Sequence, residues 1–248
     1  MRYFLDLKYH GGSFHGWQSQ KNAITVQQTL EEALMKVTGS PLAITGSGRT
    51  DTGVHAQQQV AHVDFPSEIQ PDRLGFQLNA VLPESVAIQR IRAVTDVAHA
   101  RFDADRRRYD YYLHHTKDPF LEGLSYQFHR SLNLEAIKGA CDVILQTTDF
   151  ESFSKVKTEV NHFNCEIYQC EWQPTSHGWQ FTIIANRFLR GMVRALVGTL
   201  LEVGLSKLSV SDFALIVKQK DRRAAGAAAP PHGLYLSEVT YPKHIYIN

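Results

Sequence analysis

Tyr3, Leu5, Leu7 and Tyr9 fall on one side of an extended segment, with Phe4, Asp6 and Lys8 on the other. This period of two predicts a half-buried strand over residues 2–9. The period changes after Thr25. With Gln28 three positions on, Thr25 forms a capping-box signature; Val26, Leu30, Leu34 and Val37 mark one helix face, and Gly39 stands where the helix should end. A short strand follows over 42–45. In 57–65, Val60, His62 and Asp64 alternate with Ala61, Val63 and Phe65, so the glycine-rich stretch 46–53 falls in a loop between strands. Leu74, Leu78 and Val81 predict a helix over 71–82, followed by a strand at 86–91.

Beyond the run Arg106 to Arg108, residues 109–114 read as a strand. Asn133 reads as the N-cap of a helix carrying Leu134, Ile137, Cys141, Ile144 and Leu145. Strands at 166–172 and 179–185, helices at 189–203 and 211–218, and a last strand at 234–241 complete the pattern. Strands outnumber simple β-α-β alternation and several are joined by short turns, which favours an α+β fold with largely antiparallel sheets. The rhythm begins twice, giving two similar α/β halves, an N-terminal domain 1–105 and a C-terminal domain 106–248. The Ala-Gly-Pro stretch 224–231 has the scale of a surface loop, not of a domain linker.

Composition narrows the class. The 248 residues are 43% hydrophobic and 21% charged, with no window of about eighteen apolar residues, so neither a disordered nor a membrane-spanning chain fits. Asp6 and Lys8 interrupt the only apolar run near the N-terminus, which therefore cannot act as the core of a signal peptide; a cytoplasmic protein is expected. Cys141, Cys165 and Cys170 are odd in number and lack C-x-x-C spacing, and no H-x-x-x-H accompanies them. No disulfide framework and no metal site are expected. A net charge of +1 means that any surface for nucleic acid must be local.

Three segments carry candidate chemistry. In Gly46-Ser-Gly-Arg-Thr-Asp-Thr-Gly-Val-His-Ala56, three glycines permit tight turns around Arg49 and Asp51. A stiff loop presenting a carboxylate and a cation is one reading, and an ordinary Gly-Asp turn is the other. At about 100° per residue, Arg187, Arg190 and Arg194 share one sector of the helix expected from Leu189, opposite Leu196 and Leu200. That basic face either lines a groove or is simply solvated. Lys218, Lys220, Arg222 and Arg223 add a second local cluster. Arg106, Arg107 and Arg108 run into Tyr109, Tyr111 and Tyr112, a pairing of cations and rings that suits a phosphate backbone and an unstacked base; core tyrosines beside a charged turn give the same pattern. Alternation puts Tyr109 and Tyr111 on one strand face.

Taken in order, these segments resemble the TruA family of tRNA pseudouridine synthases over nearly the whole chain. The resemblance is carried by Tyr9-His-Gly-Gly-Ser-Phe-His-Gly-Trp-Gln18, Thr25-Val-Gln27, and above all Gly48-Arg-Thr-Asp-Thr-Gly-Val-His-Ala56. Ala100-Arg-Phe102 leading to Arg107-Arg-Tyr109, Phe188-Leu-Arg-Gly-Met-Val-Arg194 with Val197-Gly198, and Gly233-Leu-Tyr-Leu236 extend it. This sequence has His10 where the family often has Asp, Ser47 where Ala is usual and Thr52 where Ala is usual. None of these departures removes a reactive group.

The resemblance implies that the two halves join into one extended sheet flanked by helices, with the active-site cleft between them. It also implies a cofactor-free isomerase acting on uridines 38–40 of the tRNA anticodon arm, and a homodimer. Asp51 would attack the target uridine, on base or sugar, with Arg194 as its salt-bridge partner; a nearby guanidinium favours the ionised carboxylate that nucleophilic catalysis needs. Tyr109 would stack on the uracil, Arg49 would help displace the nucleotide from its arm, and Leu234 would pack beneath the base. Arg107, Arg108, Arg187, Arg190, Arg222 and Arg223 would contact RNA. Two rival readings remain. One is an aspartic protease, from the tripeptide Asp51-Thr-Gly53, although a second such tripeptide is missing and Arg49 would favour ionisation. The other is a non-catalytic RNA-binding protein of the same architecture.

Overall fold

The computed structural model describes residues 1–156 and 160–247. The chain forms two compact units, one of Met1–Arg107 with Tyr235–Asn248, the other of Arg108–Leu234. Division by chain order alone put 235–248 in the second half. That segment instead returns to the first unit, since β9 (Leu234–Thr240) pairs with β3 (His55–Asp64) through His55↔Tyr235 and Ala56↔Leu236. Among the described residues there are five α-helices and nine strands, in the α+β arrangement expected.

In the first unit, β1 (Arg2–Tyr9) lies between β3 and β4 (Val86–Val94), antiparallel to both. This placement corrects the half-buried expectation. With hydrogen-bonded neighbours on both edges and cover on both faces, Phe4 is as inaccessible as Leu5, and even Asp6 is buried. Arg92 answers that charge with an ion pair at 2.9 Å, though burial still raises the Asp6 pKa. β3 carries β1 on one edge. Its other edge takes β2 (Ile44–Gly46) near the far end and β9 near the start. The segment joining β2 to β3 therefore emerges where two strands share one edge.

In helix α1 (Val26–Thr38) only the Thr25 half of the expected capping box forms, the Gln28 side chain donating instead to Glu32 Oε1 at 2.8 Å. Thr25 accepts from the Gln28 N–H, and the Gly39 N–H reaches Met35 O. Helix α2 (Pro71–Val81) packs on β4, where Asn79 donates to Ile88 O and accepts from Ile88 N.

In the second unit, β8 (Gly178–Ala185) lies between β5 (Arg106–His114) and β7 (Ile167–Pro174), and the short β6 (Tyr126–Gln127) runs parallel to β5. The arginine run opens β5 and is not a turn before it. Helix α3 (Leu134–Leu145), capped by Asn133, packs on β7, on α4 (Met192–Gly204) and on α5 (Val210–Gln219). Helix α4 buries ten of its thirteen residues, so it is a core helix.

The helix was expected to begin at Leu189. It begins three residues later because Gly191 has φ of 72°, left-handed backbone that cannot continue a right-handed helix. Arg187 and Arg190 consequently lie before α4, and the shared basic helix face does not form. Stretch 224–231 is also more than a surface loop. Gly226 N donates to Thr199 Oγ1, Ala229 N donates to Arg194 O, and a Cβ at Gly198 would collide with Ala227 O. It is laid along α4.

Candidate active site

The loop between β2 and β3 is held at both ends by side chains and backbone of the first unit. At its start, Ser47 N donates to Val60 O, Ser47 Oγ donates to Gln59 Oε1 at 2.5 Å, and Gln59 Nε2 donates to Gly48 O. Arg107 adds a donor to Ser47 O at 2.9 Å while also reaching Arg101 O and Ala104 O. The Trp17 ring lies against Gly46, where a Cβ would come within 2.5 Å of it. In the middle, Thr50 Oγ1 meets Tyr9 Oη at 2.8 Å in a buried contact, and Thr50 O accepts from Trp17 N at 3.2 Å. Toward the end, Gly53 N donates to Phe14 O, Val54 N donates to Asp51 O, and Gly11 N donates to His55 Nδ1. That last bond leaves the proton of neutral His55 on Nε2, and its ring stacks on Tyr235 with centroids 4.6 Å apart.

Asp51 sits half-buried at the crest of this loop, flanked by buried Thr50 and exposed Arg49. Arg49 Nε donates to Gln18 Oε1 at 3.0 Å, so one edge of the guanidinium is held while the residue remains exposed. Such a loop can present one carboxylate and one cation with little freedom of backbone.

In the second unit, Tyr109 is half-buried with its ring edge-on to Phe188, centroids 5.1 Å apart. Tyr111, two residues on, is a core residue. It is fully buried, its hydroxyl donates to Pro230 O at 2.9 Å, and burial drives its pKa upward. Arg194 is fastened to Ala229 in both directions, Nε donating to Ala229 O at 2.7 Å and its own O accepting from Ala229 N at 2.9 Å. Leu234 is buried at the start of β9.

The remaining arginines divide by environment. Arg108 forks onto buried Asp110, which Thr182 and Gln180 also address. Arg222 Nη1 donates to the carbonyls of Ala225 and Gly226, and Arg223 pairs with Asp221 at 2.7 Å. Arg187 Nη1 lies 3.3 Å from His162 Nε2, and the Arg190 side chain is exposed. The three cysteines are buried without disulfides, and burial pushes the Cys165 thiol up to about 11, which makes it inert. Among the described residues, no group of three or more His, Cys, Asp or Glu side chains could hold a metal ion, and no helix is long and apolar enough to cross a membrane.

Sequence reasoning found the residues that face outward from the loop and missed those beneath it. Tyr9, Gly16, Trp17 and Gln59 were legible as strand, turn or motif residues. Nothing local says that Tyr9, Gly16 and Trp17 meet a loop about thirty to forty positions further on, or that Gln59 turns back to its start.

The chain matches the tRNA pseudouridine synthase family over residues 7–103 and 145–242. It is 46% identical over 250 residues to tRNA pseudouridine synthase A of Porphyromonas gingivalis, covering 99% of both chains. It is 46% identical to the protein of that name from Parabacteroides distasonis, over 99% of this chain and 98% of the relative. For that of Bacillus subtilis the figures are 40%, 97% and 99%. Asp51 and its loop, Trp17 and Leu234 all lie within the matched segments. On these grounds the chain belongs to the tRNA pseudouridine synthase family.

Proposed function

We propose that this protein converts uridine to pseudouridine in tRNA, at positions 38–40 of the anticodon arm, with Asp51 as nucleophile. The observation that carries the reading is the full-length likeness to synthases combined with a carboxylate on a loop braced along its whole length. In the isomerisation the N1–C1′ bond of uridine breaks, the uracil turns, and C5 bonds to C1′. The C5 proton leaves to solvent and N1 takes one up, so no redox partner is required. Asp51 forms a transient covalent bond, to base or sugar, that keeps the detached uracil in the site. Tyr109, Arg49, Arg194 and Leu234 are its proposed substrate-binding residues, with Tyr109 offering an aromatic face to the base. Extruding a nucleotide from a paired arm costs a few kcal/mol, which Arg49, exposed beside Asp51, is suited to offset.

A homodimer in the cytoplasm completes the proposal. A second copy doubles every basic patch, which answers the small net charge of +1. Nothing favours the protease or the non-catalytic reading: Asp51-Thr-Gly53 lies within the segment matched to the synthase family, and the relatives matched over their full length are named as synthases.

The test is release of tritium from tRNA labelled at uracil C5, in buffer containing EDTA. Wild type is expected to release it at an undiminished rate. Asp51→Ala is expected to release none while still binding tRNA. Silence from the folded wild type on substrate tRNA overturns the reading, and loss of activity on adding EDTA overturns its cofactor-free form.

A further inference from the structure

The backbone beneath Asp51 does not rest on its own strands alone. The strip from Phe14 to Trp17 faces in two directions. Gly16 O and Trp17 O accept from Val26 N and Gln27 N, amides of the first turn of α1 that have no partner inside the helix. On its other side, Trp17 N donates to Thr50 O at 3.2 Å and Phe14 O accepts from Gly53 N at 3.3 Å. The strip thus ties the peptides on either side of Asp51 to the start of a capped helix.

The fit is close. Gly16 has φ of 89°, which side chains rarely adopt, and a Cβ there would stand 2.5 Å from Thr50 O and 3.2 Å from Asp51 C. A Cβ at Gly11 would collide with Val54 O in the same way. From below, the Tyr9 hydroxyl meets Thr50 Oγ1 at 2.8 Å with neither side chain open to solvent. The hydroxyl pair leaves Thr50 little freedom to rotate. Because Thr50 and Asp51 share a peptide, fixing one sets where the carboxylate of the next begins.

We propose that Tyr9, Gly16 and Thr50 are positioning residues that fix the Asp51 carboxylate in its reactive place by clamping the Thr50–Asp51 peptide between β1 and the strip hung from α1. The inference rests on the reading of Asp51 as nucleophile. A reacting atom displaced by about 1 Å can cost on the order of a hundredfold in rate, so a clamp of this kind acts on turnover more than on substrate affinity.

The experiment compares single-turnover tritium release, tRNA dissociation constant and melting temperature for Tyr9→Phe, Thr50→Val, Thr50→Ser, their double variant Tyr9→Phe/Thr50→Val, Gly16→Ala and Asp51→Asn. Tyr9→Phe and Thr50→Val are expected to slow the bound-state rate by about tenfold or more, with tRNA affinity within about twofold of wild type. Thr50→Ser, which keeps the hydroxyl, is expected to restore most of the rate. The double variant should be little worse than either single change, because both remove one contact. Gly16→Ala should fall furthest. Should it fail to fold, the hydroxyl variants decide the matter without it.

Wild-type rates in folded Tyr9→Phe and Thr50→Val overturn the proposal, as does a rate loss in Thr50→Ser equal to that in Thr50→Val. Failure of the underlying reading looks different. Asp51→Asn would then turn over, whereas an inactive Asp51→Asn beside unimpaired clamp variants defeats the positioning role alone.

Discussion

At the scale of single residues, each arginine's partners decide whether its loss should be felt by tRNA or by the fold. Arg190 is exposed, and its backbone oxygen, not its side chain, accepts from Lys155 N. Arg222 is half-buried and holds the carbonyls of Ala225 and Gly226 near the beginning of the segment laid along α4. If Arg190 meets a phosphate, Arg190→Ala lowers the slope of log affinity against log salt by about one unit and leaves the melting temperature unchanged. Arg222→Ala is expected to behave oppositely, lowering the melting temperature because two carbonyls lose their donor. Filter binding from low to moderate salt, beside thermal melts, checks both. An unaltered slope for Arg190→Ala removes that side chain from the RNA surface. From sequence alone both residues are basic and RNA-facing, because an arginine looks alike whether it meets phosphate, carboxylate or carbonyl.

At the scale of elements, the strongest constraint lies where α4 receives the stretch 224–231. Gly198 faces Ala227 O so closely that a methyl group has no room, and the neighbouring bonds Gly226 N to Thr199 Oγ1 and Ala229 N to Arg194 O fix the spacing. Gly198→Ala should therefore cost about 2 kcal/mol or more despite alanine's better helix propensity, since backbone must be pushed away on one side. Urea unfolding measures it, and a stabilised Gly198→Ala would show that the stretch is free to move.

The same elements show what was legible. Thr25 with Gly39, and Asn133, marked α1 and the start of α3 because capping is local chemistry. The start of α4 was misread because apolar periodicity runs on through Leu189, whereas the backbone at Gly191 does not. The burial of Asp6 and the return of β9 to β3 were invisible for a different reason. Both depend on which distant strands become neighbours, and alternation along one strand carries no record of that. The outward half of the candidate site, Arg49 and Asp51, was read from one motif. Its underside exists only once β3 has its neighbours, Tyr9 meeting Thr50 when β1 pairs with β3 and Gln59 meeting Ser47 when β2 does.

At the scale of the whole molecule, the titrating groups predict how the fold meets acid. His62, His99, His114 and His232 are all held below the ordinary histidine range, with burial the first cause in each. For His62, pushed down to about 4, burial acts together with the Arg2 guanidinium and His99. Its geometry agrees, because Ala100 N donates to His62 Nδ1 at 3.1 Å and so requires that nitrogen to be unprotonated. An unfolded histidine takes up its proton near pH 6.5, while the folded one does not until about 4. Between those values the unfolded state binds more protons, so stability is complete above pH 6.5 and declines as the pH falls through this window. The carboxyl of Asp6 works the other way. Its raised pKa lets the folded state take a proton first, which eases the decline only toward the carboxylate range. In His62→Gln the amide oxygen can accept from Ala100 N without titrating. Urea midpoints measured from pH 7.5 down to 5 should therefore fall for wild type and fall less steeply for this variant, by at most about 1.4 kcal/mol per pH unit, the worth of one proton. Equal slopes in the two proteins would mean that His62 takes up its proton over the same pH range folded as unfolded, and the sensitivity would then belong to the other three histidines.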